Sequence, residues 1–272
     1  MSDKLTLDEI APRVFRKTNQ HTGYQEFFAP ETGAMRYLSY GRLVFAADYV
    51  EHTIPAGERE HVIFCITAHA EVTVGSEKFS LGKNDFLYVP RNCEAVIHGA
   101  PSCDLVVAGA TSDRDGKPNF VAFDLVENDP AFFFDVGTTE LGTKRKIHNL
   151  VGRNVEASRI LAGFTIGQPN QWTSWPPHEH SSSKEEFYLF FDMPKPAFSV
   201  QFVYSDAADM EFVEVVQEGD CVTIPGGYHP TAAAPGSSSV FLWVMAAYDP
   251  DRDRDFKHGI KIQPDYQAVK FL

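Results

Sequence analysis

WPPHEHSSSKEEFYLFF, residues 175–191, is the stretch that decides how this chain is read. His178 and His180 stand one residue apart. In a strand, residues i and i+2 point to the same face, so both imidazoles enter one space. Glu186 follows a Ser-rich turn at the start of another strand, and His229 stands in PGGYHP at the end of a later one. Three neutral imidazoles and one carboxylate suit Zn, Mn, Fe or Ni, and they leave positions open on a five- or six-coordinate ion. H-x-H also arises by chance in a chain with 10 histidines. The specificity lies in the order: proline turn, H-x-H, Glu after a short loop, then P-x-G-x-H. Glu185 is the rival carboxylate. Strand parity groups it with Phe187, Leu189 and Phe191, and places Glu186 with Tyr188.

Outward from this segment the chain reads as short strands broken by Gly, Pro, Asn and Asp. Phe86-Leu87-Tyr88-Val89 ends at Pro90, a strand covers 198–204, and another covers 221–224 before Pro225. SVFLWVMAAY (239–248) is apolar throughout. Its β-branched and aromatic content points to a strand buried on both sides. Residues 5–15 read as a short helical turn or irregular chain. NDFLYVPRNCE (84–94) lines up with GDCVTIPGGYH (219–229), and EHTIPAGERE (51–60) resembles TSWPPHEHSS (173–182). We therefore expect an all-β protein with two jelly-roll barrel units in tandem. The first, 1–112, carries no metal ligands; 113–145 connects; the second, 146–272, carries the site. Gly57 and Arg59 stand where H-x-H would be in the first unit, and Glu94 stands where His229 would be. One metal per chain follows. The alternating charges of DPDRDRD (249–255) read as a solvated loop.

The 272 residues are 43% hydrophobic and 22% charged, enough apolar content to bury a sizeable core and to exclude global disorder. A formal net charge of −13 argues against nucleic acid as a partner, because phosphate binding needs a basic field. It leaves a small anionic substrate open, since a local field can oppose the global one. No apolar run is long enough for a transmembrane helix, the first ten residues lack a signal core, and the four cysteines form no C-x-x-C pair. Together these point to a cytoplasmic protein with no membrane partner and reduced thiols.

The order of site residues resembles the cupins, and the departures from the common cupin spacing resemble one branch: the uronate isomerases among the bicupins. That family contains 5-deoxy-glucuronate isomerase and 4-deoxy-L-threo-5-hexosulose-uronate isomerase. KIHNL (146–150), QWTSWPPHEH (171–180), EEFY (185–188), QFVYSD (201–206) and DCVTIPGGYHP (220–230) carry the resemblance, strongest to the first of these activities. The loop SSSK (181–184) is shorter than the acidic insertion of the inositol-pathway enzymes, which leaves substrate identity less specified than the metal site.

The resemblance implies metal ligands at His178, His180, Glu186 and His229, binding one divalent metal, with zinc first among zinc, manganese, iron and nickel. It implies an aldose–ketose isomerisation of a small anionic sugar, most closely 5-deoxy-glucuronate. Candidate proton-handling residues are Glu185, Tyr188 and His148, with Glu179 also available. His148 reads alternatively as a histidine at the start of a strand, bonded to backbone. Gln201, Tyr204 and Tyr228 match family positions and are candidate substrate contacts. The substrate carboxylate needs a cation. Lys184, Arg145, Lys146 and Arg153 are available, and each reads first as a solvated surface charge. A homo-oligomer is expected. Competing classes are a cupin metal-dependent dioxygenase and a non-catalytic sugar-binding bicupin.

Overall fold

The computed structural model describes residues 11–206 and 208–268. It is a pair of antiparallel double-sheet barrels, the bicupin architecture. In the first unit a six-stranded sheet runs in the order Asn119–Val121, Phe86–Val89, Arg59–Thr67, Asp104–Thr111, Leu38–Val44, Gly23–Phe28. Its four-stranded companion runs Glu51–Ile54, Ala95–Gly99, Ala70–Val74, Glu77–Leu81. In the second unit a seven-stranded sheet is ordered Val14–Phe15, Cys221–Ile224, Lys184–Phe190, Val240–Ala247, Ile160–Gly167, Arg145–Val151, Phe133–Val136. Opposite it lies a four-stranded sheet, Trp172–Thr173, Thr231–Ala233, Ser199–Val203, Phe212–Val216. A short pair, His178–Glu179 with Lys261–Ile262, completes the unit. Among the described residues, no helix is long and apolar enough to cross a membrane.

Two of the sequence expectations need amendment. The tract 5–15 contributes the strand Val14–Phe15, which pairs with Cys221–Ile224 of the second unit; residues 5–10 lie outside the described residues. The tract 113–145 is divided between the units, since Asn119–Val121 joins the first large sheet and Phe133–Val136 the second. The apolar run at 239–248 forms the strand Val240–Ala247, buried along its whole length near the middle of its sheet.

The period-2 pattern of each central strand serves two cores. On Arg59–Thr67, Val62, Phe64 and Ile66 belong to a cluster that spans both units, whereas Ile63 and Cys65 fill the first barrel. On Lys184–Phe190, Phe187 meets Phe28 of the first unit edge-on at 5.5 Å, whereas Glu186 and Tyr188 line the interior of the second barrel. Phe64 lies 5.3 Å from Phe191 and 6.0 Å from Phe164, so aromatic rings bridge the units.

Two buried glutamates pin the units to each other. Glu60, fully buried in the first unit, accepts the amides of Ser158, Arg159 and Ile160 at 2.6, 2.6 and 2.9 Å and the Tyr88 hydroxyl at 2.8 Å. Glu185 of the second unit reciprocates, accepting the amides of Arg36, Tyr37 and Leu38 at 2.8, 2.7 and 2.8 Å. Each carboxylate takes up amides that lead into a strand of the other unit, amides that would otherwise lack partners in the interface.

The interior of the first barrel is packed with Leu43, Phe45, Ile63, Val72, Leu87 and Ile97, among others, and leaves no room for chemistry. Gly57 and Glu94 are exposed, and Arg59 is tied to Glu26 and Glu31 at 2.6 and 2.7 Å. DPDRDRD is only in part the solvated loop its charge pattern indicates: Asp251 and Arg252 are exposed. Asp253 is fully buried, accepts from the Asp249 amide and pairs with Arg252 and His258, and Arg254 donates to the carbonyls of Ile160 and Gly152. Alternating charge describes a self-paired loop as well as a solvated one, and periodicity alone does not separate them.

Candidate metal centre

His180, Glu186 and His229 are all buried inside the second barrel, with one potential ligand atom from each lying within 4.8 Å of the others. The Glu186 Oε2 stands 3.1 Å from His180 Nε2 and 3.3 Å from His229 Nε2. His178 adjoins this group, its ring centroid 4.7 Å from that of His229.

The backbone sets the tautomer of each ring. Nδ1 of His178 faces the Pro176 carbonyl at 3.0 Å, that of His180 the Lys184 carbonyl at 3.1 Å, and that of His229 the Gly227 carbonyl at 2.9 Å. A carbonyl only accepts, so each Nδ1 carries the proton and each Nε2 offers its lone pair. The lone pairs of His180 and His229 then face a carboxylate oxygen, an arrangement that calls for a cation between them. His229 Nε2 is buried with no hydrogen-bond donor. The donor set therefore fits a divalent metal.

Local sequence explains the placement. Gly227 adopts φ +90°, and a Cβ there would come within 2.9 Å of the Tyr204 carbonyl oxygen. Only glycine takes this turn at ease, and the turn aims its carbonyl at His229. The Gly227 amide donates to Ser181 Oγ at 3.0 Å, which fastens the turn after H-x-H to the loop carrying His229. Glu186 lies at the start of a strand whose neighbours hold it opposite Ile224 and Met245.

Burial governs the protonation of the cluster. It pushes the Glu186 carboxyl up to about 7, a rise opposed by His229 and Lys184, and lowers His180 and His229 to about 4. His178 is held well below its ordinary value, by burial first and then by His229. At neutral pH the rings are neutral and the carboxyl is near its midpoint. A metal must displace a proton from Glu186 at any pH below about 7. Apparent metal affinity should therefore fall about tenfold per pH unit below that point, and level off above it. Zinc titration against a competing chelator between about pH 5.5 and 8.5 measures this; a flat profile would contradict it. In the metal-free protein the raised carboxyl works the other way. Its stabilising contribution is present below the ordinary carboxyl range and is lost as pH rises through about 7.

A cavity of about 30 Å³ adjoins the cluster, lined by His178, Glu186, Tyr188, Arg145, Ser174 and Phe256 among others. Tyr188 is buried, and its hydroxyl pairs with Ser174 Oγ at 2.8 Å. Burial raises the phenol well above its ordinary value, so it stays protonated.

Other candidates lie elsewhere. Glu185 turns to the first unit, where three amides occupy it, so it does not reach the cavity. His148 is on the opposite face of its strand from Arg145 and Ile147. It packs against Phe123 and Phe164 at 5.1 and 4.7 Å, with Nε2 on the Glu127 carbonyl. Its backbone-bonded reading is the one that holds. Glu179 caps the Ser181 amide and pairs with Lys261. Gln201, fully buried, braces the ligand loop instead of opening to a ligand: its Nε2 donates to the His229 carbonyl at 3.2 Å, and its Oε1 accepts from Thr231. The Tyr204 hydroxyl donates to Gln263 Oε1 at 2.8 Å, and Tyr228 packs on Tyr204 with ring centroids 5.7 Å apart. Tyr204 thus meets the segment that carries Gln263. Lys184 donates to the His258 carbonyl, Lys146 is exposed, and Arg153 pairs with Asp255 on the surface.

Sequence reasoning set Arg145 aside as a surface charge and did not weigh Ser174 or Phe256. Parity with Ile147 on a strand that alternates would have turned Arg145 inward. No local signal marks Ser174 or Phe256, which reach the cavity through loop paths.

Two antiparallel barrels back to back, with, among the described residues, a buried histidine–glutamate cluster in the second only, define a bicupin with a possible metal site. The chain belongs to the KduI/IolB family, whose model matches residues 14–263. A 5-deoxy-glucuronate isomerase of Geobacillus thermodenitrificans is 35% identical over 133 residues, an alignment covering 46% of this chain and 46% of that protein. The chain thus spans about half the length of that relative. A 5-deoxy-glucuronate isomerase of Lacticaseibacillus casei is 34% identical, with 78% of this chain and 82% of that protein aligned. Among solved structures, an IolB-like protein from Salmonella typhimurium superposes with a TM-score of 0.80 at 20% identity, covering 94% of this chain and 98% of that one.

Proposed function

We propose that the protein is a metal-dependent aldose–ketose isomerase of a deoxy-uronate, converting 5-deoxy-glucuronate to 5-dehydro-2-deoxy-gluconate. The observation that carries the reading is the pair His180 and His229 on Glu186, with His178 beside His229 and all three Nδ1 atoms on backbone carbonyls. The names of the relatives supply the substrate class. His178, His180, Glu186 and His229 hold the ion, zinc in the first instance. When bound, the ion withdraws charge from adjacent carbonyl and hydroxyl oxygens, and so eases loss of the C2 proton.

The chain's own groups do the rest. Tyr188, protonated and backed by Ser174, donates a hydrogen bond to the oxygen that gains charge in the enediol. Trp243 and Met245 form an apolar wall beside the cluster that limits the access of water to the reacting atoms. A space of about 30 Å³ holds an ion and a water but not a sugar acid. Substrate binding therefore requires the segment that carries Phe256 to move.

The test is turnover. Metal-replete protein should convert the deoxy-uronate to its ketose with a primary isotope effect on C2 deuteration. No turnover of either family deoxy-uronate, combined with O₂ consumption on a phenolic substrate, would replace this reading with the dioxygenase. Turnover of the pectin-derived uronate alone would assign substrate choice to the short 181–184 loop.

A further inference from the structure

We infer that Arg145 is the anchor for a substrate carboxylate: once the segment carrying Phe256 has moved aside, a sugar acid lies with its charged end on this guanidinium and its reacting end at the histidine–glutamate cluster. The identity of the reacting end rests on the isomerase reading; the anchor itself rests on Arg145.

Arg145 is 2% exposed and lines the same cavity as His178, Glu186 and Tyr188. Its Nη1 donates to the Thr143 carbonyl at 2.9 Å and its Nη2 to the Trp175 carbonyl at 2.6 Å. Its Nε is buried without a partner. A guanidinium has five N–H donors, so these two bonds hold the group in place and leave donors over. Among the described residues no carboxylate pairs with it, in contrast to Arg42, buried against Asp104, and to Arg59, bonded to Glu26 and Glu31.

Burying a cation without a counter-ion is costly, and proteins avoid it unless a partner arrives. Burial lowers the Arg145 guanidinium to about 10, which still leaves it charged at neutral pH. Glu186 forms no ion pair with it, its Oε2 lying instead against His180 and His229. A cationic ion at the cluster would add to the positive charge in the same low-dielectric space. A ligand with a carboxylate at one end and hydroxyl oxygens at the other satisfies both charges at once. The remaining lining fits a sugar acid: Thr165 and Ser174 offer hydroxyls, and Trp243 offers an apolar ring.

The test compares two probes differing in one charge, D-glucuronate and D-glucuronamide, by calorimetry on zinc-loaded and on metal-free protein. Wild type should prefer the acid about tenfold or more in both forms, as a charge-assisted bidentate contact requires. Arg145→Lys keeps the charge but loses the fork, and should erase most of that preference. Arg145→Met should abolish it while zinc stoichiometry stays at one. If Arg145→Met does not fold, Arg145→Lys decides. Equal binding of both probes by wild type, or full preference retained in either variant, would overturn the anchor. An Arg145-dependent preference without turnover would keep the anchor and remove the isomerase reading. Turnover without the preference would do the reverse.

Discussion

His180→Ala should cost the protein its tightly bound metal and reduce turnover by roughly a thousandfold, the scale of several kcal/mol of transition-state stabilisation. The substitution removes one of four proposed ligands and the nearer of the two imidazoles facing Glu186, at 3.1 Å. It also takes away the ring that donates to the Lys184 carbonyl. The fold should survive. The cluster joining the units is made of Phe28, Phe64, Phe164, Phe187 and their neighbours, none of which needs an ion to pack. Glu94→Ala is the internal control: Glu94 is the counterpart of His229 in the first unit and is exposed, so its rate should be that of wild type. Elemental analysis, circular dichroism and the ketose assay on both variants read out the comparison. A His180→Ala protein that holds a full equivalent of metal and turns over normally would remove His180 from the site.

The second large effect concerns stability. Glu60→Ala should lower it by about 3–5 kcal/mol, because three amides and a tyrosine hydroxyl lose their acceptor inside the interface. Release of a buried carboxylate from its desolvation cost offsets part of the loss. Glu185→Ala should be comparable, since it strands the amides of Arg36, Tyr37 and Leu38. For a chain of this size the melting temperature should fall by on the order of 10 °C. Glutamine at either position keeps one acceptor oxygen but brings donors toward amides, so it should fall between. Glu185→Ala is also informative about the site. It neighbours a ligand, yet the metal stoichiometry should remain one, because its side chain lies on the other face of the strand. A change of only a degree or two in both alanine variants would show that the two carboxylates do not hold the units together.

Parity made much of the site legible before any coordinates. Glu186 grouped with Tyr188, and Glu185 grouped with Phe187, follow from a period of two, and the structure arranges them so. What parity does not reveal is what lies beyond each face. The outer face of the Lys184–Phe190 strand is covered by another barrel, so Glu185 became a tie between units and not a base. The same blindness hid Arg145: a charged residue beside Lys146 looks solvated unless one knows that its strand has a barrel interior on one side. His148, matched to the family by motif, lies on the face that packs against Phe164.

By itself the sequence determined the all-β class and the turn–strand–proline repeat, and it named His180, Glu186 and His229, which the structure gathers into one cluster. These are local properties, written in alternation, in proline and glycine placement, and in spacing within a few residues. Only the tertiary structure decided that Val14–Phe15 pairs with Cys221–Ile224, and that Glu60 and Glu185 cross between units. Each of these joins residues far apart in the chain. Their energies come from desolvation and hydrogen bonding between surfaces that meet only once both barrels have formed.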